Sequence, residues 1–337
     1  MRLKLGLTGS DCVNSVKIIG VGSYLPKRIV TNSDLSKIVD TSDEWISSRT
    51  GIKERRITEG ENTSSLAAKA ALNAIKTAGI NPLEIDQIIV ATTSPDSFTP
   101  STACLVQAII GADNATCFDI GAACSGFIYG LTVGTQFIKT GMAKTVLVIG
   151  AEVLSKILDW EDRSTCVLFG DGAGAAILRK SETNGILSIF TSSDGNGADS
   201  LKCPTVSVKN PFVSKIDEKR SVISMNGKEV FRFAVKAMPI GIDKVLKDSS
   251  CTIDDIKYIV PHQANMRIIE YVAKKFGIDN DKFFINLDKY GNTSSATIPI
   301  ALDEMSKKGL LNNGDKIILV GFGGGLTSGA MLIQWLI

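Results

Sequence analysis

This 337-residue chain has a single histidine and no two cysteines close together in the sequence. His262 is the only histidine, so any imidazole chemistry depends on this one side chain. No C-x-x-C pair occurs and the number of cysteines is odd, which argues against a disulfide framework and a zinc site. Widely spaced single thiols are typical of a reducing compartment. The seven cysteines stand at positions 12, 104, 117, 124, 166, 203 and 251.

An excess of charge and a long apolar run are also missing. The 37 basic residues nearly balance the 35 acidic ones, and a formal net charge of +2 gives no reason to expect a nucleic-acid or membrane-surface binder. No stretch approaches the ~18 uninterrupted apolar residues of a membrane span, and the first residues lack the apolar core of a secretory signal. We therefore expect a soluble, cytoplasmic protein without nucleic-acid or membrane partners.

The chain instead contains short apolar runs that alternate with small-residue helical stretches, which is typical of an α/β protein with buried strands. The pattern occurs twice. IDQIIVA begins at Ile85 and IKYIVPH at Ile256, while TVLVIGA begins at Thr145 and KIILVGF at Lys316. Both pairs share one offset, since 256 − 85 = 171 and 316 − 145 = 171. We infer an internal duplication with a junction near residue 186, followed by a polar, irregular stretch over 194–219.

The first candidate for chemistry is Cys124, in CFDIGAACSGFIYGL. A strand, a few small residues and a helix-compatible stretch place this thiol at or near a helix N-terminus. Free N–H groups and the helix dipole favour a thiolate there, and the small neighbours let a substrate approach the sulfur. The ordinary alternative is that Cys124 is one more small core residue.

The second and third candidates are His262 and Asn292. Pro261 closes the apolar strand YIV and an amphipathic helix follows, so His262 lies on a strand-to-helix loop, where α/β sheets place ligands. Asn292 follows a glycine and precedes a small-residue helix start. Each has an ordinary alternative, namely a histidine satisfied by its neighbours and a helix cap.

Two glycine-rich stretches have different meanings. FGDGAGAAIL has the G-x-G-x-x-A spacing at Gly170, Gly172 and Ala175, but strand-like residues follow where a dinucleotide site needs a helix. GFGGGLTSGA follows the strand KIILV and leaves N–H groups free to point at an anion. It predicts either an oxyanion site or only a tight turn.

Taken in order, GAACSGF, PHQAN, GNTSSA and GFGGG resemble the β-ketoacyl-acyl-carrier-protein synthase III family of thiolase-fold condensing enzymes. The resemblance includes TSDEWISSRTGIKERR and DRSTCVLFGDGAGAAI and extends over about residues 16 to 337. It implies an α/β fold of the thiolase-like, duplicated kind, with five layers in the order α-β-α-β-α. The N-terminal half, 16–186, would hold the nucleophilic cysteine, and the C-terminal half, 187–337, the histidine and asparagine. Residues 1–15 would be an N-terminal extension.

Residue by residue, the resemblance implies that Cys124, His262 and Asn292 are the catalytic set. The implied reaction is the decarboxylative Claisen condensation of an acyl-CoA primer with malonyl-acyl carrier protein, which starts fatty acid synthesis. Cys124 would carry the acyl group, with the backbone N–H groups of Cys124 and Gly324 stabilising the oxyanion. His262 and Asn292 would donate hydrogen bonds to the malonyl thioester oxygen as carbon dioxide leaves. Elongating relatives use two histidines, which this chain cannot supply.

The family works as a homodimer, takes its CoA thioester as a substrate and implies no metal or cofactor. By the same resemblance, Trp45 and Arg163 sandwich the adenine, Arg49 lies beside the nucleotide, and Gly227, Phe231 and Asn265 line the pantetheine path. Basic residues near the expected mouth are candidates for binding the acidic carrier protein. Trp45 has an alternative as a packing aromatic, and exposed basic residues are often simply solvated. The basic candidates are Arg232, Lys236, Arg267, Lys274 and Lys275.

Primer choice depends on a departure from the family pattern. The family usually has Phe directly before PS, and that ring reaches across the dimer to close the acyl pocket. Here Thr99 has that place and Phe98 stands one residue earlier, which in an extended segment points its side chain the other way. We expect a longer or branched primer, unless Phe98 returns to the pocket through a local bulge.

Three alternatives remain open at this point. A related condensing enzyme could prime a specialised polyketide or use an acceptor other than the carrier protein, with the same three catalytic residues. A nucleotide-binding oxidoreductase could be built on GDGAG. A catalytically silent scaffold of the same fold would have no chemical need of the cysteine, histidine and asparagine, and their presence speaks against it.

Overall fold

The computed structural model describes residues 14–213 and 221–337. Cys12 and all but the last two residues of the predicted extension, 1–15, lie outside the described residues. The strands in the described part are β1 (Ser15–Tyr24), β2 (Arg28–Thr31), β3 (Glu54–Ile57), β4 (Gln87–Ala91), β5 (Thr116–Ile120), β6 (Thr145–Glu152), β7 (Gly172–Ser181), β8 (Ile186–Ser193), β9 (Leu201–Lys202), β10 (Ser224–Met225), β11 (Tyr258–Pro261), β12 (Lys316–Gly323) and β13 (Thr327–Gln334). The α-helices there are α1 (Asn32–Leu35), α2 (Asp43–Thr50), α3 (Thr63–Ala78), α4 (Thr102–Ile110), α5 (Gly126–Lys139), α6 (Gly227–Asp248), α7 (Met266–Phe276), α8 (Leu287–Tyr290) and α9 (Thr297–Lys307).

Two sheets repeat one topology. The first has the order β1-β7-β6-β4-β5, and the second has the order β8-β13-β12-β11. In each sheet the first two pairings are antiparallel and the next is parallel. A single parallel bridge between Ile259 and Phe283 lies beside β11, where β5 lies beside β4 in the first sheet.

The 171-residue offset is confirmed in three dimensions. It relates β1 to β8 (186 − 15 = 171), β6 to β12 (316 − 145 = 171) and α5 to α9 (297 − 126 = 171). β7, in the first sheet, ends at Ser181, and β8, in the second, begins at Ile186, beside the predicted junction. The division into halves 16–186 and 187–337 stays a prediction.

The helices form three layers, one between the two sheets and one on the outer face of each sheet. The central helices α5 and α9 pack between the sheets and contact both. α3 and α4 cover the outer face of the first sheet, and α6 and α7 cover that of the second. On β6, Val146 and Val148 join the central core while Leu147 and Ile149 join the outer one, as expected of a strand buried on both faces. The layers therefore follow the order α-β-α-β-α, as the resemblance implied.

Two local predictions can be compared with the structure. The glycine-rich FGDGAGAAIL runs into strand β7 and not into a helix, which confirms that it lacks the dinucleotide-site architecture. The irregular stretch over 194–219, of which 214–219 lie outside the described residues, contains β9, and β9 pairs with β10. This pairing brings Leu201 and its neighbours back towards the end of β12.

The described residues include no helix long and apolar enough to cross a membrane. All six cysteines between residues 14 and 337 that the structure covers are free thiols.

Candidate active site

Cys124 lies where the sequence predicted, at the N-terminal end of central helix α5. A short 3₁₀ turn, Ala123–Ser125, joins the end of β5 to the helix, and Ala123 takes a left-handed φ of 45°. Gly323, at the end of β12, lies directly against this turn. A Cβ atom on Gly323 would be 2.5 Å from the Cys124 nitrogen, so the close approach requires glycine here.

One cavity brings the three predicted catalytic residues together. Cys124, His262 and Asn292 all line this space of about 590 Å³, although they are far apart in the sequence. Each comes from a different connection, respectively after β5, after β11 and between α8 and α9. The arrangement can hold one ligand against a thiol, an imidazole and an amide.

His262 is buried and neutral. Its side chain is 2% exposed, and burial lowers its pKa to about 3. Its Nδ1 lies 2.8 Å from the Thr297 hydroxyl, and its backbone N–H donates to the Val320 carbonyl over 2.7 Å. Phe322 packs edge-on against the ring. Because Nδ1 is occupied by Thr297, Nε2 is the nitrogen left for a ligand in the cavity.

Asn292 is held with its amide nitrogen free to donate. Its Oδ1 accepts a hydrogen bond from the Ser294 backbone N–H over 2.8 Å. Its own backbone pairs with Leu168 and Gly170, which precede β7. Since the oxygen is engaged within the protein, the NH₂ group is the part of the amide available to the cavity that Asn292 lines.

The resting state of Cys124 differs from the expectation. Burial raises the pKa of its thiol to about 12, although the side chain of Ser294 and the backbone N–H of Cys124 both favour the thiolate. Burial of the thiol therefore acts against the thiolate that the helix N-terminus was expected to favour. Cys124 is 5% exposed, and removing its thiol from water outweighs the local dipoles.

A second, mostly apolar cavity of about 530 Å³ lies on another side of Cys124. Gly324, predicted for the oxyanion site, lines it together with Cys124. The residues that make this cavity apolar were missed in the sequence, because they come from separate loops and carry no motif. The one signal in the sequence was the position of Leu201 and Cys203 inside the irregular stretch over 194–219. The apolar lining is formed by Leu154, Ile157, Phe169, Leu201, Cys203 and Ile223.

Phe98 and Thr99 lie apart from both cavities within one chain. Both residues are exposed, and Phe98 is 76% exposed. Phe98 therefore does not turn back into the second cavity of its own chain. A role for this segment in the pocket of a second copy stays a prediction.

The predicted CoA residues fall into two groups. Gly227, Phe231 and Asn265 line the first cavity together with the catalytic residues. Trp45 lies outside that lining, with the guanidinium carbons of Arg49 and Arg163 at 4.6 and 5.2 Å from its ring centroid. A ring inserted between two stacked partners needs about 7 Å, so Arg163 must move for an adenine to enter between it and Trp45.

Asn265 connects the two groups. Its side-chain amide donates to the Arg49 carbonyl over 3.1 Å and its Oδ1 caps helix α7. The residue predicted for the pantetheine path therefore also fixes the end of α2, which carries Trp45 and Arg49.

The predicted carrier-protein residues are all exposed and lie on two neighbouring helices. Phe231 on α6 and Tyr271 on α7 pack edge-on, which joins the helices. Two of the cations already have partners, since Arg232 pairs with Glu229 and Arg267 donates to the Ser48 carbonyl. The exposed basic residues are Arg232 and Lys236 on α6 and Arg267, Lys274 and Lys275 on α7.

Comparisons with known proteins agree with this geometry. Family models described as 3-oxoacyl-[acyl-carrier-protein] synthase III and its C terminal match residues 118–195 and 246–335. The chain is 66% identical to the β-ketoacyl-[acyl-carrier-protein] synthase III of Clostridium acetobutylicum, over 96% of this chain and 99% of that protein. The corresponding protein of Clostridium novyi is 62% identical, over 95% and 99%.

Solved structures show the same fold. The 3-oxoacyl-[acyl-carrier-protein] synthase III of Aquifex aeolicus is 48% identical with a TM-score of 0.89, and the match covers 95% of this chain and all of that one. The priming β-ketosynthase of the R1128 polyketide pathway is 35% identical with the same TM-score, over 96% and 97%.

Proposed function

Because the chain belongs to the 3-oxoacyl-[acyl-carrier-protein] synthase III family, we propose that Cys124, His262 and Asn292 carry out its condensation. The protein is a condensing acyltransferase of fatty acid biosynthesis. The observation that carries the assignment of roles is the single cavity lined by all three side chains.

In the first half-reaction, Cys124 attacks the thioester carbonyl of an acyl-CoA. The thiol proton leaves with the CoA sulfur, so CoA departs as a free thiol and the acyl group stays on Cys124. The tetrahedral oxyanion is stabilised by backbone N–H groups of Cys124 and Gly324. The position of Gly324 beside Cys124, on a glycine-rich strand end, supports this role.

In the second half-reaction, malonyl-acyl carrier protein presents its thioester to the same cavity. Loss of carbon dioxide leaves an enolate, whose oxygen accepts hydrogen bonds from His262 Nε2 and Asn292 Nδ2. A neutral imidazole with a pKa near 3 and an uncharged amide suit that task. The carbanion then attacks the acyl-cysteine and expels its sulfur as a thiolate, which takes up one proton from solvent to restore the buried thiol.

Both substrates enter along the first cavity. Gly227, Phe231 and Asn265 line the pantetheine path, and Arg163 turns away from Trp45 to admit the adenine. The basic side chains of α6 and α7, which are exposed, bind the acidic carrier protein. The protein needs no resident metal or cofactor and works in the cytoplasm.

The primer chain occupies the second cavity. Its apolar walls favour an acyl chain at about 0.8 kcal/mol per buried methylene. The protein works as a homodimer in which the segment with Phe98 and Thr99 meets the partner's cavity. Thr99 fills less space than a phenyl ring, so a medium-length or branched primer is preferred over acetyl by up to about 10²-fold.

The test is a reconstituted condensation with malonyl-acyl carrier protein and acetyl-, butyryl-, branched or octanoyl-CoA. We expect β-ketoacyl-carrier-protein products with every accepted primer, and a shift of kcat/KM towards acetyl-CoA in Thr99→Phe. If the parent prefers acetyl-CoA and the substitution changes nothing, the proposal on primer length fails. If no primer gives a product, the proposed reaction fails.

A further inference from the structure

The only histidine of the chain has a single side-chain partner for its Nδ1 in the described structure. The Thr297 hydroxyl lies 2.8 Å from this nitrogen, and Thr297 is 2% exposed as the first residue of α9. Neither group is open to bulk water, so this contact decides which ring nitrogen carries the proton of the neutral imidazole.

The Thr297 hydroxyl has one proton and two acceptors within reach. Besides His262 Nδ1, the Ser294 carbonyl lies 3.0 Å from the hydroxyl oxygen. That carbonyl already accepts the backbone N–H of Thr297. It remains satisfied when the hydroxyl turns away, whereas a buried Nδ1 without a proton has no other donor among the contacts of its ring.

We propose that the Thr297 hydroxyl donates its hydrogen bond to His262 Nδ1 and thereby fixes the tautomer whose Nε2–H faces the cavity. This inference rests on the proposed function, because enolate formation requires a donor on that side of the ring. If the hydroxyl donated to Ser294 alone, Nδ1 would hold the proton and Nε2 would be a bare acceptor facing the enolate oxygen. Thr297 is thus a positioning residue that acts through His262.

The duplicated fold provides an internal comparison for this pair. The 171-residue offset relates His262 to Ala91 and Thr297 to Gly126 (262 − 171 = 91 and 297 − 171 = 126). These two residues also lie against each other, since a Cβ on Gly126 would be 3.0 Å from the Ala91 Cβ. The two positions are therefore adjacent in both halves, and the half with the histidine has the hydroxyl.

A spectroscopic experiment reads the tautomer directly. Because His262 is the only histidine, untagged protein labelled with ¹⁵N-histidine gives the ring signals of this residue alone. We expect the parent to carry its proton on Nε2, with Nδ1 hydrogen-bonded and unprotonated. In Thr297→Val, which keeps the shape but removes the hydroxyl, the Nδ1 signal should move to that of a nitrogen without a hydrogen bond, or the proton should appear on Nδ1.

Activity measurements separate the two half-reactions. Thr297→Val should slow malonyl-thioester decarboxylation about 10-fold, which corresponds to one lost hydrogen bond, and leave acylation by acyl-CoA within about twofold of the parent. Thr297→Ser, which restores the hydroxyl, should decarboxylate within about threefold of the parent. The matched control is Thr135→Val on α5, because Thr135 is also buried and its hydroxyl has no hydrogen-bond partner among the described residues.

The inference is overturned if the parent carries its proton on Nδ1, or if Thr297→Val decarboxylates within about threefold of Thr135→Val. If Thr297→Val does not fold, the tautomer of the parent and of Thr297→Ser still decides the matter. His262→Ala is measured in parallel. Normal decarboxylation in that variant contradicts the proposed function itself, whereas a defect there together with normal Thr297→Val contradicts only the role of Thr297.

Discussion

Two equivalent turns, one before each central helix, have the same backbone and different chemistry. The α5 turn is Ala123–Ser125 and the α9 turn is Ser294–Ala296, which are 171 residues apart (294 − 123 = 171). Their first residues both take the left-handed conformation, with φ of 45° and 50°. The middle residue is Cys124 in one turn and Ser295 in the other.

The difference lies in what faces the middle residue. Cys124 faces Gly323, and two cavities open beside its sulfur. At the position equivalent to Gly323 the other half has Glu152 (323 − 171 = 152), whose carboxylate accepts a 3.0 Å hydrogen bond from Ser295. The Ser295 hydroxyl also lies 2.8 Å from the Ala91 carbonyl.

Glu152 fills the space beside Ser295, at the start of α9. Besides Ser295, it accepts hydrogen bonds from Ser94, from Thr92 and from the backbone of Thr93, and it is fully buried. A glycine at one strand end thus leaves space beside Cys124, while a carboxyl group at the equivalent strand end fills that space. The duplicated fold therefore has two equivalent positions at the start of its central helices, and in one of them the side chain is hydrogen-bonded to Glu152 and Ala91.

The largest effect expected from this comparison is on the nucleophile. Cys124→Ala should abolish condensation, because no other described thiol lines the cavity that contains His262 and Asn292. Ser295→Ala removes the equivalent side chain and should retain condensation. Steady-state formation of β-ketoacyl-carrier protein measures both variants. Full activity of Cys124→Ala, or complete loss of condensation in a folded Ser295→Ala, would show that the two turns do not differ in function as stated.

The next effect concerns His262 and Asn292, the two hydrogen-bond donors that share a cavity with Cys124 and not with Ser295. His262→Ala and Asn292→Ala should each lower malonyl-thioester decarboxylation by roughly 10²-fold, since each removes one donor to the enolate oxygen. Both variants should still acquire an acyl group from acyl-CoA. Release of carbon dioxide from malonyl thioester is the measurement. Normal release from both variants would show that these donors are assigned to the wrong step.

A smaller effect is expected on the α9 side, in stability. Burial raises the pKa of Glu152, so the folded protein holds this proton more tightly than the unfolded chain does. The resulting stabilisation is complete below the ordinary pKa of a glutamate and is lost as the pH rises through the folded-state pKa. Glu152→Gln cannot ionise, so its free energy of unfolding should fall less between pH 4.5 and 7 than that of the parent.

Urea unfolding of the parent and of Glu152→Gln at the two pH values measures this difference. Glu44→Gln, on an exposed position of α2, is the matched control and should follow the parent. Equal losses of stability in the parent and in Glu152→Gln would mean that folding does not raise the pKa of the Glu152 carboxyl.

The last prediction is that the activity and the His262 signals do not change with pH near the usual pKa of histidine. Burial lowers the pKa of His262 to about 3, so the ring stays neutral above that pH and charges only in strong acid. Decarboxylation should therefore show no inflection near pH 6.5, and the ring signals of the single histidine should not titrate between pH 5 and 8. A transition near pH 6.5 in these signals would show that the His262 ring is open to water.

Much of this arrangement was readable in the sequence. The 171-residue offset predicted the repeated sheets, because buried strands need apolar runs at equivalent places. The ends of strands and the starts of helices placed Cys124 and His262, since small residues and Pro261 mark those boundaries. These features are local, and local composition determines them.

The parts that could not be predicted depend on contacts between distant segments. The high pKa of Cys124 results from burial of its thiol within the folded protein, which outweighs the local helix end that the sequence does reveal. The second cavity combines Leu154, Leu201 and Ile223, which come from three separate segments of the chain. The contact of Thr297 with His262 joins residues 35 apart, and no motif marks it.

The most direct measurement of the central claim is the mass of the protein after incubation with an acyl-CoA, followed by peptide mapping. The account predicts one acyl group per chain, located on Cys124 in the parent and in Ser295→Ala, and no adduct in Cys124→Ala. Acylation at another cysteine, or an adduct of equal yield in Cys124→Ala, would contradict the assignment of the α5 turn as the acyl acceptor.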